Sequence, residues 1–291
     1  MFSQEFARNA LIAGTLVALA SGLVGYFVVL RAQVFAGDAL SHVAFTGAIA
    51  AALIGVDDRL GLFAATLLVA VLLGAIGRRA QADDVVIGTM FSWVLGLGVL
   101  FLALVAEGTA GGNGILASRA LFGSIFSLSG SETLVAAAIA VAVALGATAI
   151  ARPLLFASLD PGLARARGVP VGMLGIGFLV LVGLDAAEAT QAVGALLLLG
   201  LLAAPAGAAS RLTANPYLGM ALSALFAVLS TWAGVALSYS ISSLPPSSAI
   251  ILVASAIYAL SFAVAAARRV RLARPRGSAL SRGSARPAQP G

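Results

Sequence analysis

Nine stretches of the chain are apolar over the length that crosses a bilayer, and this feature constrains the fold more than any motif. A helix that spans a hydrocarbon core about 30 Å thick needs about 20 residues. The stretches are 9–30, 33–55, 60–77, 85–106, 133–151, 171–187, 190–210, 217–239 and 248–267. They predict an all-α, polytopic transmembrane helical bundle of about nine spans. Eight to ten spans remain open, because the sixth and seventh stretches nearly run together through DAAEATQ.

The charges indicate both the orientation and what the chain does not do. All seventeen basic residues are arginine, and there is neither lysine nor cysteine, which excludes a Walker A lysine, Schiff-base chemistry and thiolate ligands. Alternation through nine spans places fourteen arginines on the cytoplasmic side and leaves Arg8, Arg59 and Arg119 outside, as the positive-inside rule favours. The N-terminus is therefore predicted to be external.

Seven arginines lie in the stretch from 268 to 286, which follows the last apolar stretch and is rich in Gly, Ser, Pro and Ala. We interpret residues 1–267 as a transmembrane domain and residues 268–291 as a disordered, Arg-rich cytoplasmic tail. Such a tail anchors the topology and contacts anionic membrane lipid. The position of the charge argues against a nucleic-acid partner.

The second apolar stretch carries an acid and the protein's one histidine, Asp38 and His42. Residues four apart lie on one face of a helix. Ionisable residues within a span cost about 2.5–3.5 kcal/mol on insertion scales and usually face a bundle interior or water. Two interpretations stay open: an ion site near the midplane, or a structural pair in which the imidazole bonds a backbone carbonyl.

Carboxylate and imidazole together suit divalent zinc, manganese or iron. Two ligands are too few for a complete shell, since zinc usually takes four. A two-fold dimer with this helix at its axis would bring two aspartates and two histidines together. The ligand count therefore favours a homodimeric pathway.

A second informative stretch, LDPGLARARGVPV, runs from 159 to 171 between two predicted spans. Asp160 can cap a short helix with Pro161 at its first position, and Gly168 can end it. Arg165 and Arg167 would lie on that helix. It is either a docking helix for a soluble partner or a surface loop with no partner.

The chain resembles the membrane permeases of manganese, zinc and iron ABC importers, among them the zinc-uptake membrane proteins. The resemblance covers roughly residues 10–265. Five stretches carry it: GDALSHVAFTG at 37–47, DDVVIGTMFSWVLGLGVLF at 83–101, RALFGSIFSLS at 119–129, the 159–171 stretch, and QAVGALLLLGLLAAPAGAASRL at 191–212. The stretch LSYSISSLPPSSAI at 237–250 departs from the family pattern, because it lacks an Asp and a Gly found there.

The resemblance implies a type II ABC importer-like, homodimeric permease in the cytoplasmic membrane. It also implies a separate cytoplasmic ATPase subunit and an extracytoplasmic metal-binding protein, with no cofactor besides the transported ion. By matching position, Asp38 and His42 correspond to the family's polar pair and residues 159–170 to its coupling loop. Asp185 and Glu188 are expected to face outward, where they either receive the metal from its carrier or are solvated loop charges.

Two other kinds of function stay open beside an ATP-driven metal importer. An ion-coupled secondary transporter would work without an ATPase, and a membrane scaffold or intramembrane enzyme would transport nothing. The sequence has no H-E-x-x-H motif and no G-x-S-x-G elbow, which disfavours an enzyme.

Overall fold

The computed structural model describes residues 5–76, 84–108, 123, 125–127, 129–195, 198–241 and 244–273. These residues form ten α-helices and one 3₁₀ turn, Ile125–Ser127. The helices are α1 (Glu5–Leu30), α2 (Val34–Leu53), α3 (Asp58–Ile76), α4 (Asp84–Gly108), α5 (Gly130–Leu159), α6 (Pro161–Ala166), α7 (Val171–Val193), α8 (Leu198–Leu212), α9 (Pro216–Ser240) and α10 (Pro246–Ala273).

The predicted bundle is confirmed within the described ranges. Eight helices are long and apolar enough to cross a membrane, and α8 is a shorter apolar helix. Together these nine helices match the nine predicted stretches one for one. Helix α5 continues to Leu159, beyond the predicted end at 151 and through Pro153, because membrane helices tolerate proline where neighbouring groups satisfy the freed backbone.

The predicted junction between the sixth and seventh spans is wrong. Helix α7 runs unbroken through DAAEATQ to Val193, and the break comes at Gly194, whose φ is +95°. A left-handed backbone of this kind favours glycine. The polar residues of DAAEATQ suggested a loop, but Asp185 and Glu188 interact with Ser21 and Arg59 of other helices, as described below.

Small residues allow the helices to pack closely. Gly22 of α1 lies directly against the backbone of Ala224 in α9, and Gly25 lies against the carbonyl of Leu202 in α8. Gly47 of α2 meets Gly61 of α3 in the same way. Close backbone approach is the usual basis of helix association in lipid. These contacts bring α1 close to α8 and α9, and α2 close to α3.

Two side-chain contacts define the ends of the bundle. Arg31, after α1, donates a hydrogen bond to Ser158 near the end of α5. At the opposite end of α5, Glu132 pairs with Arg59 of α3, with 3.4 Å between the nitrogen and oxygen atoms. Arg31 and Arg59 therefore lie at opposite ends of the bundle, as the alternating topology requires.

The boundary of the arginine-rich tail also needs correction. Helix α10 extends to Ala273, six residues beyond the predicted boundary at 267. Residues 274–291 lie outside the described residues. So do residues 109–118 of the Gly-rich stretch EGTAGGNGILAS at 107–118, which follows the fourth predicted span and is expected to form an external loop.

Candidate functional site

Asp38 and His42 lie on α2, as predicted, one helical turn apart and about 6 Å along the axis. Asp38 is half-buried, and His42 is 8% exposed. The two side chains interact electrostatically. The spacing in the sequence therefore places the two groups on one face of α2.

Helix α4 forms one wall of this site. The imidazole of His42 lies edge-on to the ring of Phe91, with ring centroids 5.1 Å apart and an interplanar angle of 75°. Four residues further along α2, the hydroxyl of Thr46 donates to the Val94 carbonyl of α4 at 3.2 Å. These contacts hold the face of α2 that bears His42 against α4.

His42 Nδ1 is buried and has no hydrogen-bond partner among the residues that the structure describes. A buried nitrogen in this state is uncommon, because nearly all buried polar atoms are paired. The structural interpretation of the histidine requires a bond to a backbone carbonyl, and the described residues supply none to Nδ1. A metal ion bound to this nitrogen would satisfy it.

The loop after α7 approaches the same region of α2. The hydroxyl of Ser41 lies 2.7 Å from the Asp38 carbonyl oxygen and 3.1 Å from the Ala195 carbonyl oxygen. Ala195 follows the break at Gly194. The non-helical carbonyl of Ala195 therefore lies beside Ser41, between Asp38 and His42 on α2. The sequence does not predict this contact, because no local signal reports a contact between distant segments.

The described residues bring no third acidic or imidazole side chain to Asp38 and His42. Within these ranges, no group of three or more histidine, aspartate or glutamate side chains comes together.

The capped helix predicted at 160–168 is present as α6. The Asp160 carboxylate accepts a hydrogen bond from the Leu163 amide at 2.9 Å, and Pro161 occupies the first turn. Gly168 has φ +81° and ends the helix. Leu163, Arg165 and Arg167 are exposed, whereas Ala164 is fully buried. The exposed side is therefore available to a partner.

Asp185 and Glu188 are not solvated loop charges, so that alternative was wrong. Both lie within α7 and are only 2% and 5% exposed. Ser21 of α1 donates to Asp185 Oδ1 at 3.0 Å, and Arg59 of α3 interacts electrostatically with Glu188. Partners from α1 and α3 thus allow acids that the sequence suggested were solvated to lie inside the bundle.

Comparisons with known proteins agree on one family. A model of the ABC 3 transport family matches residues 3–265. The manganese transport system membrane protein MntC of Halalkalibacterium halodurans is 31% identical over 265 residues, which are 90% of this chain and 88% of that protein. The manganese import system permease protein ScaB of Streptococcus parasanguinis is 29% identical, over 91% of this chain and 92% of that protein.

Solved structures show the same fold. The chain is similar to one in PsaBC from Streptococcus pneumoniae in complex with Fab, with a TM-score of 0.79 and 28% identity over 92% of this chain and 95% of that one. An inward-facing putative metal-chelate type ABC transporter matches with a TM-score of 0.60 at 18% identity, over 88% of this chain and 86% of that one.

Proposed function

The chain belongs to the ABC 3 transport family, and from that membership we propose that it forms the translocation pathway of an ATP-driven importer of divalent metal ions. It is a multi-pass integral protein of the cell membrane and a transport permease rather than an enzyme. The observation that carries the proposal is the buried, unpartnered His42 Nδ1 beside Asp38 on α2.

Manganese is the first candidate for the transported ion. Two relatives are named for manganese transport or import. A carboxylate and an imidazole also bind zinc and iron, so the ligand types do not separate the three metals. The proposal is therefore a manganese, zinc or iron importer, with manganese tested first.

A homodimer and an ATPase on a separate chain complete the proposed transporter. Two copies of α2 would supply two aspartates and two histidines around one ion. The absence of lysine from the sequence argues against a nucleotide site of the Walker type on this chain. The exposed side of α6 offers Leu163, Arg165 and Arg167 as the docking surface for the ATPase.

We further propose that an extracytoplasmic binding protein delivers the metal. Asp185 and Glu188 are buried in the described bundle, so either acid would meet an incoming ion only after the helices around α7 had moved apart. Asp185 and Glu188 therefore receive the metal only in a state in which the helices around α7 have moved apart.

Uptake of radioactive Mn²⁺ by cells depleted of metal with a chelator tests the function. Cells with the permease and its ATPase are expected to accumulate Mn²⁺, and removal of either gene is expected to abolish accumulation. Uptake that persists without the ATPase would instead identify an ion-coupled secondary transporter. If loss of the permease leaves the cellular manganese, zinc and iron contents unchanged, the metal-import proposal is wrong.

A further inference from the structure

Arg31 connects three helices at the end of the bundle where α6 lies. Its side chain is buried, with 6% exposed. Nε donates to Gln33 Oε1 at 3.1 Å, and a terminal nitrogen donates to Ser158 Oγ at 3.2 Å. The guanidinium carbon also lies 5.5 Å from the centroid of the Phe178 ring. One planar group therefore bridges the start of α2, the end of α5 and the first half of α7.

Ser158 connects Arg31 to the proposed docking helix. It lies two residues before Asp160, whose carboxylate caps α6. Its hydroxyl donates to the Leu154 carbonyl at 2.6 Å while accepting from Arg31, so its position is fixed from both sides. Its neighbour Ala157 packs against Ala164 of α6. Movement of α6 would therefore act directly on the segment that holds Arg31.

Gln33 connects Arg31 to the metal-binding helix. It is 3% exposed and immediately precedes α2, five residues before Asp38. The turn between α1 and α2 is tight, because Ala32 has φ +54° and the Gln33 amide donates to the Val28 carbonyl at 2.8 Å. A non-glycine residue in this conformation persists only where its surroundings enforce it. A stiff turn transmits displacement rather than absorbing it.

We propose that Arg31 is a positioning residue that couples movement of α6 to the position of α2, and hence to Asp38 and His42. The inference rests on the proposed function, because it requires an ATPase docked on α6. The planar guanidinium can hold Gln33, Ser158 and Phe178 at the same time, whereas a lysine ammonium lacks the rigid fork that does so. Coupling of this kind is carried by packed side chains and hydrogen bonds that link two sites.

The test measures Mn²⁺ transported per ATP hydrolysed in proteoliposomes that contain the permease, its ATPase and the metal-binding protein. Arg31→Gln and Arg31→Lys are expected to lower this ratio by about threefold or more. Ser158→Ala, which removes a single hydroxyl, is expected to lower it in the same direction. ATPase association and the Mn²⁺ concentration at half-maximal uptake are expected to stay at wild-type values.

Arg211→Gln is the matched control. Arg211 also contacts aromatic rings, with its guanidinium carbon 3.6 Å from the centroid of Phe262 and a nitrogen donating to the Tyr258 hydroxyl at 2.8 Å. It joins α8 to α10 and does not lie between α6 and α2, so its loss is expected to leave the transport ratio unchanged.

The double variant Arg31→Gln with Ser158→Ala is expected to lose no more than Arg31→Gln alone, because both changes break one connection. An unchanged ratio in Ser158→Ala overturns the inference. Losses of transport and ATP hydrolysis in equal proportion, with reduced complex assembly, indicate a structural role and also overturn it. If the wild-type complex shows no ATP-dependent uptake, the proposed function itself fails.

Discussion

At the scale of the residue, one unpartnered nitrogen distinguishes His42 from an ordinary core histidine. The Phe91 ring fixes the orientation of the imidazole without accepting a strong hydrogen bond, and Asp38 lies one turn away. Burial of Nδ1 is energetically unfavourable unless a hydrogen-bond donor or a metal ion is bound to it. A divalent ion would offset this cost and neutralise the Asp38 carboxylate as well. The His42 imidazole and the Asp38 carboxylate, whose burial is unfavourable in the absence of an ion, are therefore suited to binding a divalent ion.

Removal of either ligand is expected to stop transport. Asp38→Asn keeps the size of the side chain but removes its charge, and His42→Ala removes the imidazole. Each variant is expected to lower Mn²⁺ uptake by at least about tenfold, because even supporting residues around a metal contribute that much. The measurement is radioactive Mn²⁺ uptake at equal amounts of membrane-inserted protein.

Asp57→Asn provides the matched control for Asp38→Asn. Asp57 is an exposed acid whose carboxylate caps the start of α3 by accepting from the Arg59 amide at 2.9 Å, and asparagine caps a helix equally well. Wild-type uptake is expected. Wild-type uptake in Asp38→Asn or His42→Ala as well would show that the pair serves packing alone.

The sequence was sufficient to predict that Asp38 and His42 share one helix face, because their relation is local and set by the period of one helix. It was insufficient for Asp185 and Glu188, whose burial depends on Ser21 and Arg59 in distant helices. In the sequence alone, two acids three residues apart are typical of a solvated loop, because their partners on other helices are not visible. For the same reason the sequence predicts only the membrane side of Arg31, since its contacts with Ser158 and Phe178 come from distant helices.

At the scale of the element, α6 was predictable because its signals are carried by its own residues. Asp160 caps it, Pro161 begins it and Gly168 ends it, as the sequence indicated. The end of α7 was not predictable from polar letters, since the helix continues to Gly194. The break comes at Gly194, whose φ of +95° favours glycine, whereas the burial of the acids before it depends on distant helices.

The left-handed residue that ends α6 gives a test of docking. Gly168→Val places a β-branched side chain at φ +81°, which strains the end of the helix. Gly172→Val is the matched control, because Gly172 lies in the first turn of α7, in a helical backbone, with open space around it. We expect Gly168→Val to reduce ATPase recovery with the affinity-purified permease, and Gly172→Val to leave it unchanged.

Replacement of Arg165 and Arg167 by Glu reverses the charge of the same surface while Asp160 before α6 and Gly168 after it are kept. ATPase recovery is expected to fall here as well, while membrane insertion stays at the wild-type level. If both sets of variants retain the ATPase and transport Mn²⁺ normally, α6 is a surface loop with no docking role.

At the scale of the whole molecule, arginine placement and helix alternation give the same arrangement. Arg31 contacts the end of α5, and Arg59 pairs with Glu132 at its start, so the two arginines mark opposite ends. A reporter fused after residue 270 is expected to be cytoplasmic, and one inserted at 107–118 external. Accessibility of both reporters from one side would contradict the nine-span topology.

The position of Asp38 and His42 on α2 also predicts how many metal ions bind per chain. One chain supplies one carboxylate and one imidazole on α2, and the described residues bring no third histidine, aspartate or glutamate to them. If two chains close the site around an axis beside α2, one ion is shared by four side chains. Purified complex is therefore expected to bind one Mn²⁺ per two permease chains, as counted by native mass spectrometry. His42→Ala is expected to lose this ion while the two chains stay associated, because the change removes two of the four shared side-chain ligands and alters no other residue. One ion per chain, or binding by a separated single chain, would show that each protomer completes its own site and would rule out the shared one.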